Sequence, residues 1–593
     1  MSRQLLRKVA LGEEKADLVI QNGTLVNVMT RELQSGIDVA IKSDRIAFVG
    51  KADHVIGEGT TVIDANGKYI SPGLMDGHMH VESTMLSVTE FAKAALRKGT
   101  TAVFMDPHEI ANVLGSEGVR MMHEEGRQLP LKVFTTFPSC VPATNDLEDA
   151  GATLDEKDIE KGLTWDGVVG LGEVMNFPGV VYDDPKMIKE IEATIAANKT
   201  VTGHFPDGTS GMLQAYIASG VDSCHETVAR EQALEKARLG MHIMIREGSA
   251  WHDVKEVIKI VTEDGIDPTN VTLVTDDVYP QTLVDKGQLN HVVRRAIEEG
   301  TDPVMAIQMA TINVARYFQM DKQMGSITPG KIADLIIIDD LQVMEASTVI
   351  TDGEIVVAND QIVKKIPVYT YPDNAKNTVK LARSLYASDF AYVTDTEAKQ
   401  VKVNGIRAIE NSARTERMEA SLKVADHVIQ MDLEQDIIQL ACIDRHHGTG
   451  QVSLAFTQGF GLQSGAVAST VAHDSHNLLV MGVDREDMAL AGNKLAESGG
   501  GMIVVKDGKV LAHVPMPIAG LMSDQPLETV VEQVKQLEAA WRELGCSIHA
   551  PFMTFSLIAL PVIPEIRISN RGLVDVTKFE LIDVIQHQNT FVK

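Results

Sequence analysis

Between residues 69 and 277 the sequence repeats one pattern eight times: a short apolar, β-branched run, then a polar or amphipathic stretch. The runs lie at 69 to 80, 101 to 106, 131 to 137, 167 to 174, 200 to 204, 221 to 225, 241 to 246 and 270 to 277. Most of the gaps are long enough for a crossover helix, and strands joined by crossover helices pair in parallel. Eight such units predict an α/β fold, a (β/α)8 TIM-like barrel. One crossover shows the helical period directly. Val254, Val257, Ile258 and Val261 fall at i, i+3, i+4 and i+7, while Lys255, Glu256 and Lys259 lie on the other face. Asp253 is expected to cap that helix.

A barrel of this kind gathers its chemistry at the C-terminal ends of its strands. The first strand ends in DGHMHVES, residues 76 to 83, where His78 and His80 are two apart and so leave an extended chain on one face. Glu173 (GLGEVMNF) ends the fourth strand, His204 (VTGHF) the fifth, His225 (DSCHE) the sixth and Asp276 (VTDD) the eighth. Four histidines and two carboxylates brought to one mouth make a two-metal site, and a metal that acidifies water supplies a hydrolytic nucleophile at neutral pH. Glu173 can bridge both ions. Asp276 can ligate one and take the proton of the attacking water. Its neighbour Asp277 is expected to face the opposite side. Imidazole and carboxylate ligands accept manganese, iron or zinc alike.

These residues resemble the amidohydrolase superfamily, whose pattern is a histidine pair on the first strand, lysine or glutamate on the fourth, histidines on the fifth and sixth, and aspartate on the eighth. His78, His80, Glu173, His204, His225 and Asp276 fill it, and glutamate at the fourth position separates the chain from dihydroorotase-like and hydantoinase-like members. HMHVESTM (78 to 85), FMDPHEIANVLG (104 to 115), GEVMNFPGV (172 to 180) and TDDVYP (275 to 280) resemble the adenine deaminase branch, and the likeness runs through nearly the whole chain. It implies hydrolysis of adenine to hypoxanthine and ammonia at two divalent ions per chain, Mn2+ or Fe2+ with Zn2+ open, in purine salvage. Glu82, Ser83, His108 and Glu109 are then the candidates for holding the purine. Glu82 and Glu109 are candidate acids beside the catalytic Asp276. A deacetylase of N-acetyl sugars or a cyclic amidase on this fold would share most of the ligands. A non-catalytic scaffold would have lost some, and all six are present.

Segments 16 to 27, 37 to 50 and 61 to 73, and again 325 to 340 and 349 to 360, alternate apolar and polar residues between turn signals. They predict short antiparallel strands in a discontinuous β-sandwich domain, residues 1–68 plus 325–370, beside a barrel of residues 69–324. Residues 371–593 read as a further α+β domain. It contains an amphipathic helix over 527 to 543, with Val530, Val534, Leu537 and Trp541 on one face, and a hairpin turning at Asp507-Gly508. Gly499, Gly500 and Gly501 precede that hairpin and read as a turn, since no helix N-terminus follows to make a phosphate loop. His446, His447, His473 and His476 show no spacing typical of metal ligands and read as solvated or core-satisfied. His473 and His476 are the candidates for a lid over the barrel mouth.

No apolar run approaches the roughly 20 residues of a membrane span, and the first residues lack a secretory apolar stretch. Four widely separated cysteines suggest a reduced cytoplasm and no disulfide framework. A net charge of -28 opposes nucleic-acid binding, so the substrate should be a free base. A homo-oligomer, dimer or tetramer, is expected. His80-Val81-Glu82 matches half of the zinc nucleobase deaminase motif, but Cys140 is followed by Val141-Pro142 where that motif needs PCxxC, which excludes the other deaminase fold.

Overall fold

The computed structural model of the chain describes residues 2–144, 146–410 and 412–586. Thr200–Gly203, Val168–Val174, Lys132–Phe137, Thr100–Met105 and Leu74–His80 lie side by side in a parallel sheet, and Asp276–Asp277 adds a sixth strand beyond Leu74–His80. Ser223–Cys224, His242–Arg246 and Val271–Val274 form a second parallel sheet. Two seams join them. Val271–Val274 continues through Thr275 into Asp276, which pairs with Met79, and the Asp222 N–H donates to Val201 O at 2.9 Å. Nearly every residue of these strands is buried, as parallel strands covered by crossover helices require. The covering helices include Val88–Arg97, His108–Gly126, Pro185–Ala196 and Leu289–Glu298.

The run at 69 to 80 is two strands, not one. Tyr69–Pro72 pairs antiparallel with Leu335–Ile338, and the break comes at Gly73, where a Cβ would lie 2.2 Å from Thr101 Oγ1. The crossover at 254 to 262 buries Val254, Val257, Ile258 and Val261. Asp253 does not cap it. Its carboxylate instead accepts from Arg246 Nε at 2.7 Å, because a guanidinium is a stronger donor than a backbone amide.

Leu18–Asn27, Glu32–Lys42 and Arg45–Gly50 are antiparallel neighbours in a nine-stranded sheet, which Leu335–Ile338, Ala346–Thr351 and Glu354–Ala358 extend past Tyr69–Pro72. Thr61–Asp64 and Tyr69–Pro72 pair with Leu18–Asn27 in parallel, against the antiparallel expectation, because residues 51 to 60 carry the chain back across the sheet before it re-enters. The Arg45–Gly50 edge returns to the later segment, with Ile46 N–H donating to Lys331 O at 3.0 Å. Ile20, Ile41, Ile70, Leu335 and Ile337 fill the core within.

From Gln400 to Pro515 a second nine-stranded sheet forms, antiparallel except where Gln400–Ala408 meets Val452–Gln458. Leu527–Glu543 is helical and buries Val530, Val534, Leu537 and Trp541. Gly499, at φ +80°, ends the helix Arg485–Ser498, and Gly501 opens the next strand. Positive φ at both Asp507 and Gly508 makes the tight hairpin turn. Among the described residues no helix is long and apolar enough to cross a membrane, and all four cysteines are free and buried.

Gly170 lies where two strands carrying site residues approach closely: a Cβ there would stand 2.3 Å from Thr200 O. Gly170→Ala should therefore destabilise the protein by about 1–3 kcal/mol. A denaturant midpoint equal to that of the parent would mean that the strands separate without cost.

Candidate metal centre and active site

Glu173 is the hub on which the strand-end residues converge. Its Oε2 lies 2.6 Å from His204 Nδ1 and 3.0 Å from His225 Nε2, and its Oε1 lies 3.3 Å from His80 Nε2. Asp276 Oδ1 stands 3.3 Å from His80 Nε2 and 3.7 Å from His78 Nε2. The His78 and His225 rings stack with centroids 4.0 Å apart. Local backbone contacts aim these groups. The Glu173 N–H donates to Asp106 Oδ2 at 2.7 Å, and the preceding residue must be Gly172, since a Cβ there would lie 2.6 Å from the same oxygen. The His204 N–H donates to Tyr216 Oη at 2.9 Å, whose hydroxyl donates to Val174 O at 2.7 Å.

This donor set fits metal cations. His80 Nδ1 lies 2.9 Å from Asp106 O and donates to it, so in a neutral ring the Nε2 lone pair points at two carboxylate oxygens. A lone pair facing carboxylates is repelled unless a cation or proton lies between them. Among the described residues, His78 Nε2, His108 Nδ1 and His225 Nδ1 are buried without hydrogen-bond partners. His78, Glu173 and His225 present ligand atoms close enough to share one ion, as do His78, His80 and Asp276, His80, His108 and Glu173, and His204, His225 and Glu226. Burial alone would raise the carboxyl pKa values. Instead His225 and His204 hold Glu173, and His80 and Arg246 hold Asp276, well below the usual carboxylate range.

Glu109, His473 and His476 also cluster, each with a buried unpartnered atom. The Ala472 N–H donates to His476 Nδ1 at 3.2 Å, which leaves the neutral ring's proton on Nε2, facing Glu109 Oε2 at 3.6 Å. In that tautomer Nε2 carries a proton and has no lone pair for a metal, and at 3.6 Å it is too far from Glu109 Oε2 for a hydrogen bond.

A cavity of about 70 Å³ opens over the hub. Of the residues expected at the substrate, Glu109, His108 and His473 line it. Glu82, Ser83 and His476 do not line it. Glu82 Oε1 accepts from the Ile110 N–H at 3.2 Å, and burial together with Glu109 pushes its carboxyl up to about 8. Ser83 Oγ is within hydrogen-bond reach of both Glu109 Oε1, at 3.0 Å, and Asp277 Oδ1. His476 stands behind Glu109, so of the two lid candidates only His473 faces the cavity. Asp277 lines it as well, against the expectation that it would face away. The cause is Asp276, whose φ of +58° breaks the alternation of an extended strand.

Several lining residues were not singled out from the sequence. Arg246, at the end of its strand, donates to Asp276 Oδ2 at 2.8 Å, to Asp253 and to Glu226. Its signal was a cation closing an apolar run at a strand end. Asp474 brings an oxygen to 3.6 Å from His108 Nε2, and Trp251, Met175, Ala413, Leu557, Leu560 and Ile563 give the cavity its apolar side. Asp474 and the last four come from more than 100 residues beyond the parallel strands, so no local pattern marks them.

Known proteins agree with both parts of the chain. Residues 69–358 match the Amidohydrolase family and residues 412–580 the Adenine deaminase C-terminal domain. The adenine deaminase of Moorella thermoacetica is 49% identical over 587 residues, 99% of this chain and 98% of that protein. The chain belongs to the adenine deaminase family. Further members from Clostridium botulinum, 49% identical over 98% of this chain and 97% of theirs, and from Mesorhizobium japonicum, 49% identical over 97% and 96%, bear the same name. Among solved structures, the beta-aspartyl dipeptidase of Fervidobacterium islandicum AW-1 matches with a TM-score of 0.46 and 20% identity, over 59% of this chain and 99% of that one.

In this member of the adenine deaminase family Arg246 is the buried cation of the site, facing three carboxylates. Arg246→Met would leave those carboxylates uncompensated and should cost about 3–5 kcal/mol of stability. Chemical denaturation reads the loss directly. A variant as stable as the parent would remove Arg246 from the charge balance of the site.

Proposed function

We propose that this protein hydrolyses adenine to hypoxanthine and ammonia, with two divalent cations, Mn2+ or Fe2+, held by His78, His80, Glu173, His204, His225 and Asp276. The observation that carries the reading is near-complete alignment, at 49% identity, with proteins named adenine deaminase. The converging imidazoles and carboxylates support the metal chemistry, and the narrow cavity supports a flat substrate. The scaffold is read as one (β/α)8 barrel over residues 69–324, supported by its two hydrogen-bonded seams. A β-rich unit of residues 1–68 and 325–370 and a C-terminal α+β unit of residues 371–593 flank it.

When bound, the cations supply Lewis acidity that makes water a nucleophile at neutral pH. The chain's own groups do the rest. Asp276, with Oδ2 held by Arg246, takes the proton of the attacking water and delivers it to the C6 amine. The C6–O bond forms while ring N1 takes a proton from Glu109, the candidate acid that lines the cavity, and as the C6–N bond breaks and ammonia leaves, the proton of the new C6 hydroxyl returns to Glu109 and leaves a carbonyl. Glu109 Oε2 and His473 Nε2, both buried and without a hydrogen-bond partner among the described residues, are free to hold the polar edge of the base. Met175, Trp251, Leu557, Leu560 and Ile563 cover its faces and exclude water.

The test is a side-by-side turnover assay of the manganese-loaded protein with adenine, adenosine, cytosine, dihydroorotate and N-acetylglucosamine 6-phosphate. Ammonia release is expected from adenine foremost. Acetate release or ring opening without ammonia would replace the reading with a deacetylase or a cyclic amidase. Asp276→Asn should lower kcat by about 100-fold or more while adenine binding changes far less. A loss of kcat/KM through KM alone would instead make Asp276 a residue that positions substrate.

A further inference from the structure

The C-terminal part of the chain reaches the cavity through two groups of residues. His473 and Asp474 form one, and Ala413, Leu557, Leu560 and Ile563 form the other. Each is held from behind by a buried arginine that, among the described residues, donates to no carboxylate. Arg567, 1% exposed, donates from Nε to Ile563 O at 2.7 Å, from Nη1 to Leu557 O at 2.8 Å, and from Nη2 to Ala413 O at 2.5 Å and Pro564 O at 3.2 Å. Three of those four carbonyls belong to residues that line the cavity. Arg445, 0% exposed, donates from Nε to His476 O, from Nη1 to Thr378 Oγ1 at 3.1 Å and from Nη2 to Ala519 O at 3.0 Å, and so braces the loop that carries His473 and Asp474.

Such cations are costly. Burying a guanidinium without an anion is unfavourable by several kcal/mol, and an apolar side chain of similar volume would pack at lower cost. What an apolar residue cannot do is fix, in one plane, the carbonyls of segments distant in sequence. Arg567 ties residue 413 to residues 557 to 564. Leu557 and Trp251 also border a second chamber of about 250 Å³, lined further by Ser412, Met553 and Thr554, so the wall that Arg567 holds is the partition between the two spaces.

We propose that Arg567 and Arg445 are positioning residues for the substrate, fixing the C-terminal wall as a preformed surface against which the flat base lies. The proposal rests on the adenine reading above. It places no requirement on metal binding, because neither arginine touches the metal cluster.

The experiment uses full-length, manganese-loaded protein and the variants Arg567→Ala, Arg567→Lys and Arg445→Lys. It measures adenine kinetics, metal per chain and melting temperature together. KM should rise about tenfold or more in Arg567→Ala with kcat within about threefold of the parent and metal content unchanged. Millimolar guanidinium should lower that KM again where equal ammonium does not. Arg567→Lys, which keeps the charge but reaches fewer carbonyls, should fall between, and it reads the same quantity if the alanine variant is insoluble. Arg445→Lys should also raise KM. A lowered melting temperature with unchanged KM would overturn the proposal and leave both arginines as fold determinants only, and so would a loss of metal in step with activity. Absence of adenine turnover in the parent protein would sink the adenine reading itself, a result distinct from either.

Discussion

Two carboxylates buried side by side in a shell of imidazoles, Glu173 and Asp276, set the terms for the rest of the molecule. Each is 4% exposed, and an ionised carboxylate out of water is tolerated only with compensating charge and hydrogen bonds. No single segment can supply these. His80, His204, His225 and Arg246 reach the pair from four different strand ends. Parallel strands place such ends on one side of the sheet, and the covering helices keep the surroundings dry. The charge problem and the parallel architecture are therefore two aspects of one constraint.

That coupling explains what could be read from sequence. A strand buried on both faces is a continuous apolar run, so the residue that ends it stands out, and His78, His80, Glu173, His204, His225 and Asp276 were each legible as such an ending. Alternation then failed at the eighth strand. The positive φ of Asp276 turns its neighbour Asp277 into the same cavity, a backbone conformation that sequence period does not encode. Thr61–Asp64 and Tyr69–Pro72 carry the same alternation whether they pair parallel or antiparallel, so their register partner was equally hidden. Asp253 was read as a cap because capping is a local rule, whereas Arg246, its partner in the fold, reaches it as the cation of a buried cluster.

The histidines of the C-terminal part show the limit more sharply. His446 and His447 are satisfied by the carbonyls of Ser475 and Ala150, at 2.7 Å and 3.0 Å. His473 faces the cavity and His476 stands behind Glu109. Four residues of one type, on two loops separated by the strands Val452–Gln458 and Ala466–Ser469, thus take three different roles, and each role depends on a partner elsewhere in the chain. Their mutual spacing carries none of that information.

His108 links the two halves of the problem. Its Nδ1 is 3.5 Å from Glu173 Oε1 and its Nε2 is 3.6 Å from Asp474 Oδ1, so one imidazole lies between the hub and a carboxylate supplied by the C-terminal part. Burial opposes the charged form of the His108 ring, but Asp474, Asp106 and Glu173 together outweigh it and raise its pKa. The electrostatics at the strand ends are thus set partly by residues beyond 470. The two regions that match separate families, 69–358 and 412–580, thus line one cavity between them.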